Sequence, residues 1–510
     1  MAIARTHSAT LVGVTGHPVE VEADLSAGLP GLTFTGLPDT TVVEARDRVR
    51  AAIVNSGAPW PNRRITVALL PADVRKAGSI FDVALAVAVL AAAGTVPSAP
   101  LGSAAWIGEL GLDGQVRAVR GVLPAVLALA RAGITRIVVP AANAAEAALV
   151  PGLDVRAASH LCDIVAWLRG EGEAPPQAER GPEAPKGSVA DLGDVLGQVV
   201  PRRALEVAAA GAHHVFLRGS PGSGKTMLAE RLPGILPALD DDQALEVTGI
   251  HSVSGRLPAG GPLLRVPPFQ APHHTASVAA LVGGGSGLAR AGAISLAHRG
   301  VLFLDEAPEF APMVLDALRQ PLESGRVVLH RSGGAVTYPA RFLLVLAANP
   351  CPCAAARDRD CSCPSLARRR YQHRLSGPLR DRVDISVTVD QVARADLMAG
   401  DARGESSDLV AARVVTARRA AAERWAGHGW ATNAEAAGSV LRSRPWRPSR
   451  AALVDVEAAI DSGRLSARGY DRVLRLAWTV ADLTGVTVPG PGEVGEALYY
   501  RLDSSVPVAA

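Results

Sequence analysis

Gly219-Ser220-Pro221-Gly222-Ser223-Gly224-Lys225-Thr226 decides how this chain is read. The stretch has the form GxxxxGK[ST], a phosphate-binding loop. The apolar, strand-like His214-Val215-Phe216-Leu217 precedes it, and the helix-forming Met227-Leu228-Ala229-Glu230-Arg231-Leu232 follows. Strand, loop and helix in that order are the context the motif needs. The glycines let backbone N–H groups curl around phosphate oxygens, and the helix points its positive end at the anion. Gly219, Ser220, Pro221, Gly222, Ser223, Gly224, Lys225, Thr226 and Met227 are therefore read as an ATP cradle. Lys225 reaches the β- and γ-phosphates, and the Thr226 hydroxyl ligates Mg²⁺.

About eighty residues on comes Gly300-Val301-Leu302-Phe303-Leu304-Asp305-Glu306. Four apolar residues followed by two acids describe a buried parallel strand with carboxylates at its C-terminal end, where α/β sheets bind ligands. Asp305 is placed on Mg²⁺ through water, and Glu306 on the attacking water. Arg341-Phe342-Leu343-Leu344-Val345-Leu346-Ala347-Ala348-Asn349 is a further buried strand ending in a polar amide.

The 510 residues suffice for about three domains. A formal charge of +3 is too mild to announce nucleic acid by itself. Basic residues are almost all Arg, with lysine only at Lys76, Lys186 and Lys225. The longest apolar run, Val83–Ala93, is too short to span a bilayer. No basic, then apolar, leader opens the chain, so a cytoplasmic protein without membrane attachment is expected. Four of five cysteines crowd into Cys351-Pro352-Cys353 and Cys361-Ser362-Cys363. Two close pairs can close a tetrahedral zinc site; reduced or redox-active thiols are the other reading. Arg368-Arg369-Arg370-Tyr371-Gln372-His373-Arg374 follows, the densest basic stretch, with an aromatic in it.

Residues 1–170 alternate strand-like runs (Ala9–Val14, Val19–Ala23, Ile65–Leu69) with helix-like ones (Thr41–Val54, Asp82–Ala93, Leu123–Ala132), which predicts an α+β domain. Residues 171–188 are Pro-, Glu- and Gly-rich and predict a flexible linker. Residues 189–390 form the ATPase core and 391–510 a helical C-terminal part.

Gly36-Leu37-Pro38-Asp39, Glu44-Ala45-Arg46-Asp47-Arg48, Pro71-Ala72-Asp73-Val74-Arg75-Lys76-Ala77-Gly78-Ser79-Ile80-Phe81-Asp82 and Ile107-Gly108-Glu109-Leu110-Gly111-Leu112-Asp113-Gly114 resemble the N-terminal domain of the YifB/ComM-type magnesium-chelatase-like AAA+ ATPases. That domain is similar to the Lon proteolytic domain and to domain 2 of ribosomal protein S5. Aligned on the Lon motifs, the nucleophilic serine falls on Ile80 and the activating lysine on Leu123, with Ser79 one residue out of register. Without nucleophile and amine the dyad chemistry cannot run. The resemblance covers the chain outside the linker and implies an S5-like/Lon-like α+β domain, a P-loop α/β core with a parallel sheet and a C-terminal helical lid.

It implies roles as well. Asn349 takes the place of sensor 1. Arg382, in Ser376-Gly377-Pro378-Leu379-Arg380-Asp381-Arg382-Val383-Asp384, is preferred over Arg380 as an arginine finger for a neighbouring subunit. Arg468, in Leu465-Ser466-Ala467-Arg468-Gly469-Tyr470-Asp471-Arg472, falls on sensor 2, with Arg475 as second choice. Val327–Arg331, Ser332-Gly333-Gly334 and Ala335–Tyr338 read as a hairpin that lines the pore of related ring helicases, which makes His330 and Arg331 candidates for DNA contact. Gln270-Ala271-Pro272-His273-His274-Thr275-Ala276-Ser277 and Gly283-Gly284-Gly285-Ser286-Gly287 are expected to form an insert facing the channel or a subunit interface, without metal. Two departures stand out: Ala293 replaces a family glutamate, and Ala354 a family glycine. The implied function is a homo-oligomeric, hexameric ATP-hydrolysing ring acting on single-stranded or branched DNA, in recombination or natural transformation. The alternative is a chelatase-like motor that remodels a protein partner.

Overall fold

The computed structural model describes residues 2–181, 190–258, 260–285, 290–331, 334–355, 360–394, 398 and 404–502. Linker residues 182–188, Ser286-Gly287 of the insert and Ser332-Gly333 of the hairpin turn lie outside them, as does the Arg331 side chain.

Strands β1 (Ala2–Val12) and β2 (Thr15–Ser26) form a long antiparallel hairpin around the turn at Gly13-Val14. Alternation along β2 buries Val19, Val21, Ala23 and Leu25 on one face, the period a half-buried strand requires. With β3 (Gly31–Thr35), β4 (Arg64–Leu70), β5 (Ala104–Trp106), β8 (Arg136–Pro140) and β9 (Asp154–Ala158) they build a mixed seven-stranded sheet, ordered β3-β4-β2-β1-β5-β8-β9. The intervening β6 (Glu109–Leu110) and β7 (Val116–Arg117) make a small separate pair. Helix Asp82–Ala92 is buried along its whole length, so the apolar run too short for a membrane is the core helix of this domain. Among the described residues no helix is long and apolar enough to cross a membrane.

The expected flexible linker begins later than its composition suggested. The Ala157 N–H donates to the Pro176 carbonyl at 2.9 Å and the Ala178 N–H to the Val155 carbonyl at 2.8 Å, so this segment lies along the open edge of β9. An extended, proline-rich segment can order in this way without burying apolar side chains, because a sheet edge offers unpaired backbone groups.

The second sheet is wholly parallel, ordered β11-β14-β17-β10-β18, from β10 (Val215–Arg218), β11 (Phe269–Gln270), β14 (Val301–Leu304), β17 (Leu343–Ala348) and β18 (Ile385–Thr388). Strands β14 and β17 are buried at every position, as parallel strands covered on both faces must be. Two short pairs lie outside it: β12 (Gly283–Gly284) with β13 (Arg290–Ala291), and β15 (Arg326–Arg331) with β16 (Gly334–Pro339). Helices Ser407–Trp425, Ala467–Thr484 and Pro491–Arg501 form the C-terminal layer. They share a core with helix Val199–Gly211 and one face of the parallel sheet.

The two sheets are braced together. Glu146 of the N-terminal domain accepts from the Leu123 N–H at 2.9 Å and from the Ser252 hydroxyl of helix Asp241–Val253. At the β1–β2 turn Gly13 has φ +66°, and a Cβ there would stand 2.6 Å from Val336 Cγ1 of the hairpin. Only glycine permits both the turn and that approach.

Candidate nucleotide site

Strand β10 lies between β17 and β18 and delivers the loop at its C-terminal end. Gly222 (φ +72°) and Gly224 (φ +96°) take left-handed conformations that turn the loop back on itself. Lys225 is 8% exposed. It donates to the carbonyls of Gly219 at 2.8 Å and Ser220 at 2.9 Å, and to Asn349 Oδ1 at 3.1 Å. Burial lowers its pKa, while the charges of Asp305 and Glu306 oppose that shift. The Thr226 hydroxyl donates to Asp305 Oδ2 at 2.8 Å. A hydroxyl and a carboxylate oxygen side by side are the hard donors that Mg²⁺ prefers. The Met227 carbonyl accepts from Arg231 at 2.8 Å, which leaves only its N–H for the cradle. Gln198, which the sequence reading did not single out, ties the loop down by donating to the carbonyls of Ser223 (3.2 Å) and Asp390.

Beyond β14 the Glu306 N–H donates to Asp305 Oδ1 at 2.9 Å, and Glu306 itself adopts φ +50°. A left-handed non-glycine residue costs on the order of 1 kcal/mol. Lys225, Thr226, Asp305, Glu306 and Asn349 thus converge at one edge of the sheet.

The Pro-His-His-Thr segment lies beside the acids that follow β14. It leaves edge strand β11, neighbour of β14, and brings His274 Nδ1 to 3.4 Å from Glu306 Oε2. The His273 ring stacks on His274 with centroids 4.1 Å apart, and His273 Nδ1 is hydrogen-bonded to Thr275 Oγ1 at 2.8 Å. The acid that accompanies these histidines is supplied by another strand, invisible to spacing.

Arg382 and Arg468 do not join this edge. They line a cavity of about 490 Å³ at the opposite edge, beside His214 and Asp384 where β10 and β18 begin. Arg468, Arg472 and Arg475 share one face of helix Ala467–Thr484. Arg472 pairs with Asp384, and Arg475 Nε donates to the Ala436 carbonyl at 2.8 Å. Burial alone would raise the Asp384 carboxyl, but the Arg472 charge and the His213 hydrogen bond outweigh it and hold it well below the usual range. His213 Nε2 in turn meets Thr479 Oγ1 at 2.7 Å, so a buried polar seam fixes the lid helix to the sheet. Arg382 is held by Glu323 and donates to the Pro378 carbonyl at 2.6 Å. Arg380 does not line this cavity; it borders two smaller ones, one of them beside Tyr371 and Asn349.

The four thiols of Cys351, Cys353, Cys361 and Cys363 lie within 4.8 Å of one another. Cys351 and Cys353 are 3.2 Å apart, Cys353 and Cys361 3.6 Å, and Cys361 and Cys351 3.5 Å. Tetrahedral zinc with Zn–S bonds of about 2.3 Å needs sulfurs roughly 3.8 Å apart, which this cluster fits. The Cys351 contact, ahead of other hydrogen bonds, lowers the Cys353 thiol to about 6, so one thiolate is favoured before any metal arrives. Ala354, where the family has glycine, adopts φ +53°. Helix Ser365–His373 follows, with Arg369, Arg370 and His373 exposed. Arg374 pins it to Glu309 at 2.8 Å beside the acids of β14.

His330 is exposed near the tip of the β15–β16 hairpin, whose base is anchored by buried Val327 and Tyr338. In the N-terminal domain, Ile80 and Leu123 are buried aliphatic side chains. Ser79 is bonded to Glu109, and the Lys76 ammonium to the Pro71 carbonyl.

Comparison with known proteins finds relatives along nearly the whole chain. Residues 191–397 match the model of magnesium chelatase, subunit ChlI; residues 21–143 match that of subunit ChlI of Mg-chelatase; residues 404–501 match its C-terminal model. A Mycobacterium tuberculosis protein is 54% identical over 501 residues, covering 98% of this chain and 99% of its own. Competence protein ComM of Haemophilus influenzae is 40% identical over 506 residues, 98% of each chain. YifB of Escherichia coli is 39% identical over 508 residues, 98% of this chain and 97% of its own. A shorter likeness, 30% over 167 residues, links 31% of the chain to 21% of the Lon protease of Mycolicibacterium smegmatis. The chain belongs to the YifB/ComM family of magnesium-chelatase-like AAA+ ATPases.

Proposed function

We propose that this chain is the subunit of a hexameric, ATP-hydrolysing ring that moves along single-stranded or branched DNA as a helicase or branch-migration motor. The observation that carries the reading is the position of Arg382 and Arg468 at the sheet edge opposite Lys225. Four residues of β10 alone separate the two edges by about 13 Å, so these arginines serve a nucleotide held by a neighbour.

In each subunit Lys225 and the loop N–H groups hold the phosphates, Thr226 and Asp305 hold Mg²⁺, and Asn349 and Glu306 place the attacking water. The neighbour's Arg382 and Arg468 neutralise charge building on the transferred phosphoryl group. Mg²⁺ supplies further charge neutralisation when bound. For DNA, the support is the exposed His330 at the hairpin, the exposed arginines after the cysteine cluster, and a relative named as a competence protein. Contacts of this kind are independent of sequence and weaken with salt. Natural transformation, where incoming single strands must be exchanged, is the setting that fits. The four cysteines are assigned one Zn²⁺, which would lock the loop between Asn349 and the basic helix.

The test is ATP turnover of the purified protein with and without single-stranded and forked DNA, together with its oligomeric state. The reading predicts DNA-stimulated turnover that fades with salt, in a particle of six chains. Unchanged turnover and no salt-sensitive DNA binding would overturn the DNA assignment and favour a motor acting on protein. Metal analysis should return one zinc per chain; purification without chelator that yields none removes the zinc assignment.

A further inference from the structure

The arginine-lined edge holds more guanidinium than a finger and a sensor account for. Five arginines line its cavity (Arg319, Arg382, Arg468, Arg472 and Arg475), against three carboxylates. Two are committed within the fold: Arg472 to Asp384 and the Arg382 carbonyl, Arg475 to the Ala436 carbonyl. Three are available. Arg468 is exposed and has no carboxylate partner among the described residues. Arg319, on helix Arg319–Ser324, has only Asp316 at 4.0 Å and a side chain 47% exposed. Arg382 holds Glu323 and the Pro378 carbonyl, yet its Nε is buried without any hydrogen-bond partner. Burial, then the charges of Arg319, Arg472 and Arg468, lower the Arg382 pKa. Cations crowded in this way are stabilised by a polyanion.

Arg319 and Glu323 stand four residues apart on one short helix, so the same element presents a weakly paired, half-exposed cation and the carboxylate that occupies Arg382. Three guanidinium groups also match the three equatorial oxygens over which charge spreads in phosphoryl transfer. We infer that Arg319 is a third arginine which, with Arg382 and Arg468, contacts the terminal phosphate of the neighbouring subunit's nucleotide, and that Glu323 is the resting partner that this phosphate displaces from Arg382. The inference rests on the ring reading above and adds two residues to it. A terminal phosphate carries more charge than one carboxylate and accepts paired guanidinium hydrogen bonds, so the exchange favours the neighbour once it docks.

The experiment mixes variants in one ring. Arg319→Ala alone should lower turnover at least tenfold, with unchanged binding of a fluorescent ATP analogue and an unchanged melting temperature. Mixed in equal amounts with Lys225→Ala, it should recover up to about a quarter of the wild-type rate, because one interface in four pairs an intact loop with intact arginines. Arg382→Ala mixed with Lys225→Ala is the control. If that control recovers and Arg319→Ala does not, Arg319 acts inside its own subunit and the inference falls while the ring reading stands. If neither recovers, the ring reading falls with it. Should Arg319→Ala melt early, Arg319→Gln repeats the mixing with the aliphatic stem and a polar, uncharged end kept. Glu323→Gln should turn over at least as fast as wild type; a loss as large as that of Arg319→Ala would overturn its assignment as a resting partner.

Discussion

The two edges of the parallel sheet differ in what they lack. At the C-terminal edge, Lys225 is satisfied by Gly219, Ser220 and Asn349, and Thr226 by Asp305, and one cation faces two acids. At the N-terminal edge five arginines face three carboxylates, and a buried nitrogen of Arg382 bonds nothing. In the proposed ring, the first edge binds and hydrolyses ATP, and the second takes an anion that another chain supplies. On that proposal each subunit carries two half-sites on opposite faces, the minimum for a closed, head-to-tail ring.

Breaking either edge should produce different failures. Arg382→Ala should cut turnover about 10³-fold while leaving ATP binding intact, since a finger acts mainly on the transition state. Phosphate release and equilibrium binding on the same sample check this. Lys225→Ala should lose about 10²- to 10³-fold in turnover and weaken ATP binding as well, because the lysine contacts bound and reacting phosphates alike. Asp384→Asn tests the scaffold that holds the arginine edge. Removing the carboxylate leaves Arg472, its side chain 17% exposed, without its ion-pair partner, and stability should fall by up to about 3 kcal/mol in denaturant unfolding.

Smaller changes sharpen the picture at the acids. His274→Ala removes the imidazole that stands 3.4 Å from Glu306 and should raise turnover without DNA by up to roughly fivefold, the worth of a half-exposed polar contact of at most about 1 kcal/mol. A fall in that rate would mean the histidine positions the glutamate for catalysis. Ala354→Gly relieves a left-handed alanine and should stabilise the chain by about 1 kcal/mol, read as a higher melting temperature.

The satisfied edge was legible in the sequence because its parts are local and sit at strand ends. A loop with Lys225 and Thr226, a strand ending in Asp305-Glu306 and another ending in Asn349 must converge once the strands run parallel. The arginine edge was only half legible. Motif resemblance singled out Arg382 and Arg468 and gave only Arg382 to a neighbour, while Arg319 and Glu323 lie on a short helix whose pattern marks no chemistry. His274 was seen as a histidine without an acid, because its carboxylate arrives from the neighbouring strand thirty-two residues later. Composition misplaced the start of the linker for a different reason: residues 176–178 are held by backbone pairing with β9, which side-chain hydropathy does not report. The replacement of a glycine at Ala354 was visible, and its left-handed backbone gives that departure a physical cost.

The claim that a neighbour completes each nucleotide site is tested most directly by mixing Lys225→Ala and Arg382→Ala, each inactive alone, and measuring ATP turnover of the mixture. Recovery of up to about a quarter of the wild-type rate is predicted, from interfaces that join an intact loop to an intact arginine. A mixture as inactive as its components would contradict the account.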